Sequence, residues 1–214
     1  MTKRLVIVGA GGLGHEVLGY ALEILADQKE WQIGGFLDDD ESATVTESAP
    51  LLGRIDDFKP TVDDLLVLAI GRPSLRRTII ESFEQQGVQY TSLIHPTAHI
   101  SATAQIYPGT VVSPLSFVAG HSVVGPHAYL NVHTSTGHDA VIGPYSVLSP
   151  FASVSGGAHL EEAVFVGAHA AIGPGCRIGS HSTLSAGAIV LSDLPAGTFA
   201  ASPQVQLSQK PPRD

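Results

Sequence analysis

The chain has 214 residues, a formal net charge of −9 and a single cysteine. That length allows one large or two small domains with a real core, and the charge argues against nonspecific nucleic-acid binding, which needs clustered Lys and Arg. No apolar run is long enough to span a bilayer, and the lone Cys176 excludes an internal disulfide, so a cytoplasmic protein with no nucleic-acid or membrane partner is expected.

Residues 4 to 8 predict a buried strand. The opening Lys3-Arg4 and Leu5-Val6-Ile7-Val8 imitate the head of a signal peptide, but the apolar run breaks at once into glycines and no cleavage-type segment follows. Gly9-Ala10-Gly11-Gly12-Leu13-Gly14 has the G-x-G-x-x-G spacing, and a helical pattern runs from about Leu13 to Leu25. A second strand, roughly Gln32 to Leu37, ends in Asp38-Asp39-Asp40. Strand, glycine turn, helix, strand and acid form the βαβ fingerprint of a nucleotide site. The glycines permit the turn and a close approach to phosphate, the helix N-terminus offers free N–H groups, and the acids can bond a ribose or a base. A glycine turn that only lets helix pack on strand is the plainer alternative. The flanking strands and acids favour binding.

Leu65 to Ile70 predicts another strand, ending at Gly71-Arg72, with Arg72 a further candidate for substrate binding. Ser74 to Gln86 reads as a helix closed by Gly87, and Val88 to Leu93 as a short strand. Residues 1–93 thus form a small Rossmann-like α/β domain of about four parallel strands. A dinucleotide needs two such halves, so a single nucleotide moiety fits better than NAD.

From Ile94 onward one spacing rule holds. Steps of six give Ile100, Ile106, Val112, Val118, Val124, Leu130, Thr136, Ile142, Leu148, Val154, Leu160, Val166, Ile172, Ile178, Leu184 and Val190. Only Thr136 is not a branched aliphatic. Two residues earlier a small side chain recurs, as at Ala98, Ala104, Thr110, Ser116, Ala140, Ala152, Ala170, Cys176 and Ala188. A period of six is neither helix nor hairpin; short flat strands joined by regular turns and stacked coil on coil make a parallel β-helix. It occupies residues 94–193. Asp193 to Gly197 caps it, leading into a C-terminal segment 194–214 whose end, Ser208 to Asp214, reads as a polar tail. The fold class is therefore α/β plus all-β.

Ten histidines make any one weak evidence. His121, His127, His133, His169 and His181 all fall three residues after an inward aliphatic, which suggests an ordinary exposed corner. His138 is off that phase. It follows Thr136, the one step that loses its aliphatic, inside the polar run Asn131 to Asp139. An irregularity in a strict pattern is where a site is expected. A solvated irregular turn is the alternative. Imidazole can take and return a proton near neutral pH, and the adjacent Asp139 can orient the ring and stabilise its charged form. Neighbours in a flat strand point to opposite sides, so Asp139 serves His138 only if the chain bends, for which Gly137 is the natural place.

Val141-Ile142-Gly143, Val166-Gly167-Ala168 and Ala171-Ile172-Gly173-Pro174-Gly175 make the coil similar to the hexapeptide-repeat acyltransferases. Together with Gly9 to Gly14, Gly35-Phe36-Leu37-Asp38-Asp39, Ala69-Ile70-Gly71, Leu93-Ile94-His95-Pro96 and His138-Asp139, the chain resembles the sialic-acid O-acetyltransferase and bacillosamine-type N-acetyltransferase group. The resemblance implies a left-handed coil, a homotrimer, acetyl-CoA lying between subunits with contacts near Gly156, Ala168 and Ala186, and no metal. It implies His138 as base, supported by Asp139, and a nucleotide-sugar acceptor held by Gly11, Gly12, Leu13, Asp38 and Asp39. The sequence departs from the family pattern at Leu13, Gly137, Val147 and residues 201–205. The expected activity is acetyl transfer to an amine or hydroxyl of a nucleotide-linked sugar.

Two rivals remain from the residues. His133 and His138 have the H-x4-H spacing of the γ-class carbonic anhydrases, with His99 as a loosely placed third ligand. A non-catalytic trimer that only senses a nucleotide sugar is the other. A nucleotide-dependent dehydrogenase would need twice the N-terminal domain.

Overall fold

The computed structural model describes residues 2–27, 31–43, 45–84 and 86–202. The expected tail over 208–214 lies outside these residues. In chain order the N-terminal elements are β1 (Lys3–Val8), α1 (Gly12–Asp27), β2 (Trp31–Leu37), β3 (Leu51–Gly53), β4 (Asp64–Leu68), α2 (Pro73–Glu84) and β5 (Gln89–Tyr90). Their strands pair in parallel in the order β3-β2-β1-β4-β5. Leu5, Val6, Ile7 and Val8 are all fully buried, because Leu5 and Ile7 face the α1 side while Val6 and Val8 face the α2 side. A central parallel strand covered on both faces reads as one apolar run rather than an alternation.

Two expectations need correction. The sheet has five strands, not four, since the short edge strand β3 carries too few residues to show a pattern. The strand expected over 88–93 is two pieces: Gln89–Tyr90 extends the α/β sheet, whereas Leu93–Ile94 pairs with Val111–Val112 and begins the coil.

The coil is a left-handed parallel β-helix of two-residue strands in three sheets of seven, six and five strands. Strands stack at an offset of 18 residues, as where Ser135 Oγ donates to Ser153 Oγ. The aliphatics from Val112 to Val190 form one continuous buried column, joined by Ala140, Ala152, Ala170, Cys176 and Ala188. Ile94 breaks the expectation, with 38% of its surface exposed, because the first rung has no coil beneath it.

From Gly109 to Gly187 the corners turn on left-handed residues. Leu115, His121, His127, His133, Asp139, Tyr145, Phe151, Ala163, His169 and His181 all have φ between 56° and 61°. That conformation costs a β-carbon roughly 1–2 kcal/mol, and Asp and His are among the side chains most often found there. The corner phase thus explains the repeated histidines.

The α/β region rests on the outer surface of the seven-stranded sheet. Leu93, Val111, Tyr129 and Val147 point outward from that sheet and share a core with Leu5, Ile7, Val17 and Trp31. Arg76 pins the junction. Its buried guanidinium donates from Nε and Nη2 to the His127 carbonyl at 3.0 and 2.8 Å. From Nη1 it donates to the carbonyls of Leu68 and Ile70 at 3.1 and 2.8 Å. Burial pulls its pKa down to about 10. His127 is consequently not an exposed corner. It is buried between Tyr90 and Tyr145, and burial beside Arg76 lowers its pKa to about 4.

Candidate active site

Two regions collect the candidate residues. The first is the crevice at the carboxyl ends of β1 and β4, where the chain passes from one side of the sheet to the other. This switch point is where open α/β sheets take ligands. Each glycine of the turn has its own reason. Gly9 has φ 106°, and a Cβ there would lie 2.8 Å from the Ala69 carbonyl oxygen. A Cβ on Gly14 would strike the Gly9 carbonyl, so this glycine lets α1 pack on the turn. Gly11 and Gly12 have nothing within 4 Å of that position and face open space.

That space is a cavity of about 410 Å³ lined by Ala10, Gly11, Gly12, His15, Asp38, Asp40, Ser42 and Ala43. The Asp38 carboxylate accepts from the Ala10 N–H at 2.7 Å and the Asp40 N–H at 2.9 Å, tying the end of β2 to the glycine turn. Asp39 points elsewhere. It accepts from the Ile55 N–H at 3.2 Å and lines a second cavity of about 340 Å³ with Asp38, Ile55, Ile70, Leu75 and Ile79. Leu13 lines neither; it is half-buried and packs on the core, with Cδ2 3.9 Å from where a Gly71 Cβ would stand.

Arg72 lies across the crevice at the start of α2. It borders a cleft of about 330 Å³ formed by Gly71, Pro73 and Ser74 on one side and Ala163, Phe165, His181 and Thr183 of the coil on the other. The N-termini of α1 and α2 both open toward the switch point, giving an anion two sets of unpaired N–H groups. His15, Ser74, Phe165 and His181 were not singled out from the sequence. Ser74, Phe165 and His181 meet only through the docking of α2 against the coil, while His15 enters the glycine-turn cavity from α1.

The second region is the turn joining Ser135–Thr136 to Val141–Ile142. His138 Nδ1 lies 2.7 Å from Asp139 Oδ2, and the imidazole side chain is 75% exposed. The bend that brings them together is at Asp139, whose φ is 58°, and not at Gly137, whose φ is not positive. Gly137 is needed for a different reason: a Cβ there would collide with the backbone nitrogen of Gly156 one rung above. Gly156 also lies against the imidazole, since its Cβ would come within 2.6 Å of His138 Nε2. With Asp139 ionised, Nδ1–H donates to it and Nε2 keeps the free lone pair.

The three expected coenzyme positions do not share an edge. Gly156 stacks on the His138 edge, where the Gly157 N–H donates to the His138 carbonyl. Ala168 and Ala186 stack on another, where the Gly187 N–H donates to the Ala168 carbonyl. His133 stands on the Ala168 edge and His99 stacks on Phe117, so one chain does not bring His133, His138 and His99 together. Among the described residues no three His, Cys, Asp or Glu side chains converge as metal ligands. Val147 is buried under the α/β region.

Residues 4–83 match the profile of the PglD N-terminal domain. Three solved structures share the whole architecture. The acetyltransferase domain of PglB from Neisseria gonorrhoeae, solved with acetyl coenzyme A, is 28% identical over 94% of this chain and 97% of that one, with a TM-score of 0.57. WeeI from Acinetobacter baumannii is 26% identical over 92% and 95%, with a TM-score of 0.76. The chain is a left-handed β-helix acyltransferase. PerB from Caulobacter crescentus, solved with CoA and GDP-perosamine, shares the fold at 24% identity over 94% and 95%, with a TM-score of 0.85. No curated protein sequence matches. Among the described residues this acyltransferase has no helix long and apolar enough to cross a membrane.

Proposed function

We propose that the chain transfers an acetyl group from acetyl-CoA to an amine or hydroxyl of a nucleotide-linked sugar. The acceptor's diphosphate lies at Gly11, Gly12 and Arg72, between the N-termini of α1 and α2. Asp38 and Asp39 border the nucleoside, and the sugar extends toward the cleft beside Phe165 and His181. His138 Nε2 takes the proton from the acceptor as its nitrogen or oxygen attacks the thioester carbonyl. The tetrahedral intermediate collapses with cleavage of the carbon–sulfur bond, and the imidazolium returns the proton to the departing thiolate. Asp139 holds the ring and stabilises its charged form. The reaction calls for neither a metal nor a covalent enzyme intermediate.

The observation that carries this reading is the exposed His138–Asp139 pair, set on the edge where the two sheets not covered by the α/β region meet. A ligand in the switch-point crevice lies on the far side of its own coil from His138. The site is therefore completed between chains, with the base of one protomer facing the acceptor and coenzyme of the next. A cytoplasmic homotrimer supplies that arrangement, with residues 1–93 as the acceptor domain and 94–193 as the catalytic coil. Comparisons with proteins solved with CoA, acetyl coenzyme A or GDP-perosamine support the choice of substrates.

The test is thiol release from acetyl-CoA in the presence of a panel of GDP- and UDP-linked amino sugars. His138→Ala should remove turnover while thermal shifts with CoA and with the nucleotide sugar persist. An unchanged rate in this variant eliminates His138 as the base.

A further inference from the structure

The cavity beside α2 combines apolar walls with polar groups of a single kind. Ile55 from the loop after β3, Ile70 beyond the end of β4, and Leu75 and Ile79 of α2 supply the apolar surface. The polar side chains that border it are Asp38, Asp39, Asp56, Thr78 and Ser82. An ionised carboxylate can only accept hydrogen bonds. The two hydroxyls have committed their hydrogens to the helix: Thr78 Oγ1 donates to the Ser74 carbonyl at 3.2 Å and Ser82 Oγ to the Ile79 carbonyl at 2.8 Å. They can offer a guest only lone pairs. Every polar side chain lining this cavity therefore presents an acceptor.

The carboxylates differ in what they already hold. Asp38 accepts from the Ala10 and Asp40 N–H groups with one oxygen each. Asp39 Oδ1 accepts from the Ile55 N–H and lies 3.7 Å from Arg54 Nη2. Asp56 borders the cavity with both oxygens free of partners among the described residues.

We propose that this cavity seats the nucleobase of the acceptor and selects guanine. The inference rests on the nucleotide-sugar reading above and adds which base that nucleotide carries. Asp38 borders both this cavity and the one at the glycine turn, so a ribose beside Asp38 links a diphosphate at Gly11 and Gly12 to a base beside α2. The flat ring lies against the isoleucine and leucine walls, and its edge meets the acceptors. Guanine has two adjacent donors on its Watson–Crick edge, the N1–H and the N2 amino group, spaced for the two oxygens of one carboxylate. Uracil has one donor between two carbonyls, which would face carboxylate oxygens. Cytosine and adenine each place one amino group beside a bare ring nitrogen, so neither satisfies both oxygens. Asp56 is the carboxylate open to such a pair, while Asp39 holds the loop through the Ile55 N–H.

Calorimetry on the full chain with GDP, UDP and ADP tests the assignment, since these share ribose and diphosphate and differ only in the base. GDP should bind tighter than either of the others by roughly tenfold or more. Asp56→Asn keeps the shape of the side chain and turns one acceptor into a donor. Asp56 is exposed, so the variant should keep the parent's melting temperature. It should weaken GDP by roughly tenfold and leave UDP unchanged. Equal affinity of the parent for the three nucleotides would overturn the assignment whatever the variant does. A GDP affinity that survives Asp56→Asn would overturn it too, as would a parallel loss of GDP and UDP, because Asp56 would then serve the shared ribose diphosphate. A parent chain that binds none of the three would instead refute the nucleotide-sugar reading itself.

Discussion

Replacing Arg76 with methionine tests whether the junction between the α/β region and the coil is held by one buried cation. The guanidinium makes four hydrogen bonds to three carbonyls and has no carboxylate partner among the described residues. Burial lowers its pKa from 12.5 to about 10, so taking the charge out of water costs about 3 kcal/mol. Hydrogen bonds from a charged donor each return about 1.5 kcal/mol net, roughly 6 kcal/mol for the four. The balance favours the arginine by about 3 kcal/mol. Methionine keeps much of the volume against Tyr129 but leaves the His127, Leu68 and Ile70 carbonyls unpaired. The sole tryptophan, Trp31, is buried in the core shared with Leu93, Val111 and Tyr129, so its fluorescence reports on this junction. Urea unfolding followed at Trp31 should show Arg76→Met destabilised by about 3 kcal/mol. Arg76→Lys should recover little, since an ammonium cannot span three divergent carbonyls. A loss below about 1 kcal/mol for Arg76→Met would refute the accounting, as desolvation would then match the bonds.

His127 should make stability fall in acid. Its folded pKa of about 4 lies below the ordinary 6.5, so the unfolded chain binds the proton more readily; the associated stability is complete above pH 6.5 and is lost as pH drops toward 4. The loss should reach about 3 kcal/mol by pH 4, and His127→Asn, which tolerates the left-handed corner, should flatten that limb of urea midpoints against pH. Gly156→Ala would push on the His138 ring at Nε2 without entering the core. It should cut turnover at least tenfold with little change in melting temperature, and full activity in that variant would show that the ring has no fixed position. Thr136 is buried among the inward aliphatics, and its hydroxyl has no partner among the described residues. Thr136→Val should raise the unfolding free energy in urea by about 1 kcal/mol, and a lower value would show that the hydroxyl has a partner in solution.

The coil could be read from the residues almost rung by rung, because its only requirement is a local one: an aliphatic every sixth residue and a small side chain two before it. The glycine turn was equally plain, since Gly9 and Gly14 answer to backbone contacts that any βαβ unit must make. What could not be read came from contacts between distant segments. His127 looks like its neighbours on the corner phase, and only the arrival of Arg76 and Tyr90 buries it. The bend at His138 was expected one residue pair too early, at Gly137, because the left-handed corner is set by position in the coil and not by residue type. Asp38 and Asp39 read as a pair, yet only Asp38 reaches the cavity at the glycine turn, while both border the second cavity beside α2. The division of His138 from the switch-point crevice depends on which of three sheets the α/β region covers. No period in the sequence encodes that choice.

The 18-residue offset also limits how such a chain can change length. Adding or removing one residue within the coil would turn every later side chain out of its column, so viable growth proceeds by whole circuits. Any circuit inserted between Gly137 and Gly156 would part the imidazole from the glycine it lies against. One inserted after Val190 would leave that contact untouched and only lengthen the shaft beyond it. Descendants of this molecule are therefore free to become taller at one end while their chemistry stays at a fixed height above the base.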